Sequence, residues 1–275
     1  MAHVEIIDKT LFDKSVLDKL EQEIKTVLDI GAGIYPKTFI KPQLYICVEP
    51  FHEYVQELNK NIGMQNDQLF VVLNGDWDFA VSQFGENSVD TVFLIDVIEH
   101  LDKEEGVRLL ALTEKIARKQ VVIFTPLGFI AQETLHGGKD AWGLNGAAWQ
   151  EHKSGWMPED FDDSWDVYVC EDYHSHNNVN QLLDKPIGAI WAIKNKLESD
   201  KEPDESWLNN NEITKQIIER SANLFKANIE TTKAFEKVIQ AKDQEISLLK
   251  EQHRRLANTK AVRFANKINQ VIGRA

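Results

Sequence analysis

Apolar runs of strand length alternate with helix-period segments between residues 26 and 127. The runs are nearly continuous in Val, Ile, Leu and Phe, as expected for strands whose two faces are both covered. They predict five parallel strands, at residues 26–30, 45–48, 68–73, 89–95 and 120–124. Leu109, Leu112 and Ile116 recur at offsets of three and four, which predicts an amphipathic helix over residues 104–118. The alternation indicates an α/β fold built on a parallel sheet.

A long segment without clear periodicity follows the fifth strand, over residues 127–161, and carries Trp142, Trp149 and Trp156. Such a segment inside a domain is typical of a lid or a substrate wall. Packing of the three indoles against the end of the sheet is the alternative. Two further strands, at residues 165–170 and 188–194, complete the body.

The C-terminal part of the chain is predicted to be helical. Residues 197–212 are polar, acidic and interrupted by Pro203, which is the composition of a linker. Beyond them a heptad series has two apolar core positions, filled by Ile218, Phe225, Thr232, Ile239 and Ile246 and by Phe235, Leu249 and Leu256. Asn228 and Lys242 interrupt the second position. We predict a body at 1–196, a linker at 197–212 and a tail at 213–275 that self-associates as a coiled coil or helical hairpin, or else packs on the body.

Composition and cysteine usage indicate a cytoplasmic globular protein. Of the 275 residues, 43% are hydrophobic and 27% are charged. Apolar stretches fall short of the roughly 18 residues of a spanning helix, and Glu5, Asp8 and Asp13 interrupt any secretory signal. Cys47 and Cys170 lie in apolar runs, which predicts buried, reduced thiols. Their spacing excludes a thiolate zinc site.

The net charge of −13 is distributed unevenly, because residues 1–196 carry −15 and residues 197–275 carry +2. So acidic a body is a poor non-specific nucleic-acid binder. The end of the tail is basic, and an apolar stripe there is flanked by cations. The stripe is Phe264, Ile268, Val271 and Ile272, and the cations are Arg263, Lys267 and Arg274. This pattern predicts a helix peripheral to the inner face of a membrane, or one that docks on the acidic body or on a partner protein.

The segment with the clearest chemical meaning is Val-Leu-Asp-Ile-Gly-Ala-Gly at residues 27–33. A strand that runs into two closely spaced glycines brings bare backbone against a ligand, although a tight turn without a ligand has the same pattern. Glu49 ends the second strand, where a carboxylate can accept both hydroxyls of a ribose. Asp76 and Trp77 follow the third strand, where they suit an adenine, and Asp96 ends the fourth. Four neighbouring strands thus present polar residues at the edge where α/β sheets bind ligands.

These motifs, with Asp-Val-Ile-Glu-His-Leu at residues 96–101, resemble class I S-adenosylmethionine-dependent methyltransferases over residues 20–196. The resemblance implies a Rossmann-like sheet of seven strands, the last antiparallel, and S-adenosyl-L-methionine as cofactor. It implies that the cofactor is bound by Asp29, Gly31, Ala32, Gly33, Glu49, Asp76, Trp77 and Asp96. Pro36 stands where a nicotinamide fingerprint requires a third glycine, which disfavours a dehydrogenase.

The spacing of Asp96, Glu99 and His100, with His152 after the long segment, suits a divalent metal such as magnesium. The quartet resembles that of small-RNA 2′-O-methyltransferases and ubiquinone-pathway O-methyltransferases, in which it holds magnesium or a related ion. Alternatively, Glu99 and His100 only shape the loop under the cofactor. Without a metal, His100 or His152 is the candidate catalytic base. We interpret four further histidines as surface or packing residues, namely His52, His136, His174 and His176.

Three further motifs bear on the acceptor: Thr-Pro-Leu-Gly-Phe after strand five, His-Lys-Ser-Gly-Trp at 152–156 and the run at 185–191. They resemble methyltransferases associated with bacterial surface-polysaccharide biosynthesis. This implies O-methylation of a sugar hydroxyl on a glycan or sugar nucleotide. The alternatives are O-methylation of another small molecule, or a catalytically inactive scaffold that organises a complex through its helical tail.

Overall fold

The computed structural model describes residues 2–63, 68–132, 139–177, 181–196 and 204–257. The chain forms two compact units, Met1–Ser221 and Ala222–Ala275. The first unit contains the sheet, and the second contains most of the long C-terminal helix.

The first unit is built on one mixed sheet of eight strands. The strands are β1 His3–Ile6, β2 Thr26–Ile30, β3 Leu44–Glu49, β4 Leu69–Asn74, β5 Val89–Ile95, β6 Ala117–Pro126, β7 Asp166–His176 and β8 Leu182–Asn195. Their spatial order is β1-β7-β8-β6-β5-β2-β3-β4. Only β8 runs antiparallel to its neighbours, β6 and β7. The predicted α/β sheet of seven strands with the last antiparallel is therefore confirmed for β2 to β8.

The eighth strand, β1, was not predicted. It lies at the edge of the sheet and pairs in parallel with β7, from His3 opposite Asp166 to Ile6 opposite Val169. All four of its side chains are exposed. An edge strand that buries no side chain leaves no hydrophobic run in the sequence, so the periodicity does not reveal it.

Helices cover both faces of the sheet. They are α1 Phe12–Leu17, α2 His52–Ile62, α3 Trp77–Ser82 and α4 Lys103–Ile116. A fifth helix, α5 Asn211–Ala257, belongs to the first unit only as far as Ser221. Along β2, Leu28 and Ile30 pack in one apolar cluster, with α3 and α4, while Val27 packs in a second cluster with α1 and α2. Burial on both faces explains why the strands are nearly continuous apolar runs.

The chain reverses its direction of winding beside β2. From β2 it passes to β3 and β4 on one side, and it then returns to β5 on the other side. Parallel neighbours of this kind leave a crevice at the carboxyl ends of the strands, which is where open α/β sheets bind ligands.

The first unit continues beyond the predicted body. Trp207 and Ile213 are buried in one of its apolar clusters, and the Gln216 side chain bonds the backbone of Val72 in β4 through both its oxygen and its nitrogen. The first unit ends at Ser221. The division into a body at 1–196, a linker at 197–212 and a tail at 213–275 stays a prediction. Residues 197–203 lie outside the described part of the chain.

In the second unit, α5 carries large apolar side chains that are exposed along the chain. They include Phe235, Val238, Ile239, Ile246 and Leu249. A coiled coil remains a prediction, and the basic apolar stripe beyond residue 257 lies outside the described residues. Within the described residues, none of the helices is both long enough and apolar enough to cross a membrane. Cys47 and Cys170 are free and buried, as predicted.

Candidate active site

The turn after β2 requires both of its glycines. Gly31 has φ 75° and Gly33 has φ 64°, in the left-handed region that L side chains rarely adopt. A Cβ atom at Gly31 would lie 2.7 Å from Val97 Cγ2, and one at Gly33 would lie 2.9 Å from Trp142 Cη2. The turn is thus both bent and closely covered, so a side chain at either position would displace its neighbour.

A cavity of about 920 Å³ opens at the carboxyl ends of the strands beside this turn. Six of the eight predicted cofactor-binding residues line it, from the ends of four strands: Gly31, Gly33, Glu49, Asp76, Trp77 and Asp96. The sheet therefore brings together residues that are up to 65 positions apart in the sequence. This volume can hold a ligand of nucleoside size and a second molecule beside it.

Asp29 and Ala32, the other two, are buried and do not belong to the cavity wall. The Asp29 carboxylate accepts a 2.9 Å hydrogen bond from the Tyr45 hydroxyl, and its Oδ1 atom has no partner among the described residues. Burial raises the pKa of Asp29 to about 6, against the opposing effects of Lys37 and Tyr45. Asp29 therefore supports the loop from behind instead of facing the cavity.

Glu49 is held by the backbone on both sides. Its Oε2 accepts from Gly33 N–H and its Oε1 from Phe51 N–H, each at 2.9 Å. Burial is the main cause that raises its pKa, to about 7. Each carboxylate oxygen keeps a second lone pair, so Glu49 can still accept hydroxyl donors from a ligand in the cavity.

Asp76 and Trp77 form the wall of the cavity at the start of α3. Asp76 caps this helix, because its Oδ1 accepts a 2.8 Å bond from Phe79 N–H. The Arg108 guanidinium lies 5.3 Å from the centroid of the Trp77 ring. Part of the Asp76 carboxylate is therefore used in capping, and its contact with an adenine remains a prediction.

Asp96 occupies the turn directly after β5 in a strained conformation. It is a non-glycine residue with φ 55°, and such strain at a ligand-facing loop is typical of functional sites. Its side chain faces the cavity, and the protein around it raises the pKa to about 6, against the effect of the Lys37 ammonium.

Glu99, His100 and His152 converge, with one ligand atom of each lying within 4.8 Å of the others. Asp96, the fourth member of the predicted metal quartet, is not part of this group. Glu99 is buried, and its Oε2 accepts a 3.0 Å bond from the Thr125 hydroxyl. Its Oε1 has no partner among the described residues. Burial, and next the Asp96 carboxylate, raise the pKa of Glu99.

The two candidate bases are adjacent. The ring centroids of His100 and His152 lie 4.8 Å apart. Burial lowers the pKa of both imidazoles, that of His100 to about 4. His100 Nδ1 lies 3.1 Å from the Glu151 carbonyl, to which it can only donate, so Nε2 carries the free lone pair. The His152 Nε2 lies 2.8 Å from the Gln132 amide nitrogen.

Of the three tryptophans in the long segment, two lie in a wall of the cavity and one packs in the core. Trp142 and Trp149 line the cavity and remain partly exposed. Trp156 is fully buried, with its indole N–H bonded to Ser154 Oγ at 3.1 Å. Residues 139–153 of the segment thus form a wall of the cavity, whereas Trp156 packs in the core.

Other cavity residues were missed or misinterpreted from the sequence. His174 and His176 were interpreted as surface or packing residues, but both line the cavity from the end of β7. Lys37, Tyr54 and Asp140 also line it, although no motif marks them. Residues of this kind leave no local signal, because only the approach of β7, α2 and the long segment makes them neighbours. His52 lies on α2 beside Gln56, and His136 is outside the described residues.

No protein-family model and no curated protein matches the sequence. Solved structures with a similar fold include a SAM-dependent methyltransferase from Archaeoglobus fulgidus, with 18% identity, a TM-score of 0.39 and coverage of 66% of this chain and 94% of that one. Phosphoethanolamine N-methyltransferase 1 of Haemonchus contortus shares 16% identity, with a TM-score of 0.41 and coverage of 71% and 44%. Magnesium protoporphyrin IX methyltransferase of Synechocystis shares 13%, with a TM-score of 0.39 and coverage of 66% and 77%. Similarities of this extent carry no substrate over to this chain.

Proposed function

We propose that this protein is an S-adenosylmethionine-dependent methyltransferase. One observation carries the proposal. A turn with two glycines of positive φ lines the same cavity as Glu49 and Asp96, at the carboxyl edge of the sheet. The glycines allow a ligand to approach the backbone, and Glu49 offers acceptor lone pairs to a ribose. The cavity carries acidic residues at several strand ends, which suits a ligand with a sulfonium and an ammonium charge.

The reaction we propose is O-methylation. A bound cofactor would supply a methyl group activated by a sulfonium. The acceptor oxygen attacks the methyl carbon in line, so that the O–C bond forms as the C–S bond breaks and the sulfur leaves as a neutral thioether. The residues of the cavity align that oxygen with the methyl group, which is their main contribution to the rate. Without a metal, the hydroxyl proton passes to Nε2 of His100 or to the neighbouring imidazole of His152.

For the acceptor, we propose a sugar hydroxyl on a glycan or a sugar nucleotide. Two partly exposed indoles, Trp142 and Trp149, line the cavity and provide apolar faces on which a sugar ring can stack. The polar groups of His174, His176 and Gln132 line the same cavity and can bond further hydroxyls.

A metal is a separate part of the proposal, and the residues present fit one. Buried Glu99, whose Oε1 has no partner within the described part of the chain, lies in a group with His100 and His152. Two imidazoles and one carboxylate suit iron, nickel or zinc better than magnesium, which prefers oxygen ligands. A divalent ion held there would lower the pKa of an acceptor hydroxyl.

Calorimetric titration with S-adenosylmethionine and S-adenosylhomocysteine tests the cofactor assignment. We expect both to bind, and transfer of a labelled methyl group to a panel of glycans and small catechols then identifies the acceptor class. Failure of both ligands to bind would favour the inactive scaffold.

Chelation tests the metal. We expect an excess of chelator to abolish turnover while the affinity for S-adenosylhomocysteine survives, and His152→Ala to behave in the same way. Restoration of turnover by one added divalent metal would identify the ion. Full activity in excess chelator would contradict the metal proposal without affecting the cofactor assignment.

A further inference from the structure

Lys37 lies on the loop that follows the glycine turn, and no sequence motif includes it. Its side chain lines the cavity together with Gly31, Glu49 and Asp96. Lys139 and Lys153 also line this cavity, but they come from the long segment after β6. Lys37 therefore brings a cation to the glycine-turn side of the site.

A chain of hydrogen bonds holds the Lys37 backbone in place. Its N–H donates to the Tyr45 hydroxyl at 3.1 Å, and this hydroxyl donates to Asp29 Oδ2 at 2.9 Å. Asp29 lies in β2 and Tyr45 in β3, and both are buried. The buried acid of the glycine motif thus fixes the loop that carries Lys37, which gives Asp29 a role although it does not line the cavity.

The charge of Lys37 acts on the acidic groups of the site. Its ammonium opposes the effect of burial on the pKa of Asp29, Glu49 and Asp96. An anionic group of a ligand that entered between Glu49 and Asp96 would be repelled by both carboxylates. A neighbouring cation removes that penalty and can form a charge-assisted hydrogen bond with the ligand.

We propose that Lys37 binds the α-carboxylate of the amino-acid part of the cofactor and selects adenosyl ligands that retain this carboxylate. The inference rests on the proposed function. The carboxylate is the one anionic group of S-adenosylmethionine, whereas the ammonium and the sulfonium suit the acidic residues. Lys37 is thus a specificity-determining residue, and Tyr45 and Asp29 are positioning residues behind it.

The experiment compares two ligands by calorimetry, S-adenosylhomocysteine and its decarboxylated analogue, which lacks only the α-carboxylate. The wild-type protein is expected to bind S-adenosylhomocysteine about tenfold or more tightly than the analogue. Lys37→Met keeps the length of the aliphatic stem and removes the charge. This variant is expected to lose about tenfold in affinity for S-adenosylhomocysteine and to bind the analogue within about threefold of wild type. Lys60→Met, which removes a charge from the exposed side of α2 outside the cavity, should keep the wild-type preference.

The analogue serves as an internal control for folding, because its binding requires an intact adenosine site. An undiminished preference in Lys37→Met would overturn the inference and leave the methyltransferase proposal standing. Loss of both ligands by Lys37→Met, with Lys37→Arg failing to restore the preference, would also overturn it. If the wild-type protein bound neither ligand, the proposed function would fail and this inference with it.

Discussion

The carboxylates of Asp29, Glu49 and Glu99 are buried, and burial is the largest cause that raises the pKa of each of them. For Asp29 and Glu49 the values are about 6 and about 7. A group with a higher pKa in the folded state binds extra protons there, so its contribution to stability is lost as the pH rises through the folded pKa. Above these pKa values the buried carboxylates therefore lower the stability of the folded protein.

The pH dependence of unfolding tests this cost. Between pH 6 and pH 8, ionisation of Glu49 should lower the free energy of unfolding of the ligand-free protein by about 1 kcal/mol. Glu49→Gln cannot ionise, so its unfolding midpoint should change less over this range. Thermal unfolding of both proteins at the two pH values measures the difference. A wild-type protein that is more stable at pH 8 than at pH 6, with the variant unchanged, would contradict the assignment.

The two glycines of the turn differ from the other glycines of positive φ in how closely neighbouring side chains approach them. Gly33→Ala adds a methyl group 2.9 Å from Trp142 Cη2, whereas Gly143, at φ 75°, has free space around it. Both changes should cost about 1–2 kcal/mol of stability through the backbone. Only Gly33→Ala should also weaken S-adenosylhomocysteine binding, by about tenfold or more, because the added methyl group would displace Trp142 at a point where both residues line the cavity. Equal binding by both variants in calorimetry would show that the turn does not contact the ligand.

At the scale of elements, the site depends on a short covering segment held on α2. Asp140 accepts from the Tyr54 hydroxyl and from the backbone N–H groups of Trp142, Leu144 and Gly146. Trp142 contacts the Tyr54 ring edge-on, with centroids 4.8 Å apart. One aspartate thus shapes the segment and attaches it to the helix. Trp142 also lies against Gly33 of the glycine turn, and we therefore predict that this attachment governs access to the cavity.

Removal of the Tyr54 hydroxyl tests this attachment. In Tyr54→Phe the ring packing is kept and the bond to Asp140 is lost, so the segment should open more readily. We expect the dissociation rate of S-adenosylhomocysteine to rise several-fold, as measured by stopped-flow tryptophan fluorescence. Tyr168→Phe, which removes a hydroxyl away from the cavity, is the matched control. An unchanged rate in Tyr54→Phe would mean that the segment does not gate the ligand.

At the scale of the whole molecule, the second unit carries an apolar stripe that is exposed in the single chain. Ile239 and Ile246 occupy the first core position of the heptads and Leu249 the second, and all three are about half exposed or more. Branched residues at the first position with Leu at the second favour two-stranded parallel coiled coils. Most of the stability of a helix in a protein comes from packing of its apolar face, so we predict that self-association supplies the burial that the stripe requires.

Sedimentation equilibrium at increasing protein concentration tests the self-association. We expect a dimer for the wild-type chain, and a shift towards monomer of about tenfold or more in the dissociation constant for Ile246→Lys, because a charge replaces a buried core side chain. Lys237→Glu changes the charge off the stripe and should leave the dimer intact. A monomeric wild-type chain at every concentration would contradict the prediction.

Local patterns in the sequence determined most of the sheet. Continuous apolar runs identified β2 to β8, because strands buried on both faces need apolar side chains at every position. The glycine turn and the polar residues at the strand ends were also readable, since they follow directly from backbone conformation and chain direction. The edge strand β1 and the packing of Trp207 were not readable, because neither has a periodic pattern around it.

What only the tertiary structure decided is which side chains meet. Asp29 and Glu49 are acids on adjacent strands and point to the same face of the sheet, because Asp29 pairs with Cys47, two residues before Glu49. Glu49 therefore lies nearer the carboxyl edge and lines the cavity, whereas Asp29 is buried and supports the loop from the core. Lys37, Tyr54, Asp140 and His174 joined the site through contacts between segments that are distant in the sequence. A sequence encodes the period of an element and the conformation of a turn locally, whereas a cavity is a property of distances between elements, which exist only once the chain has packed.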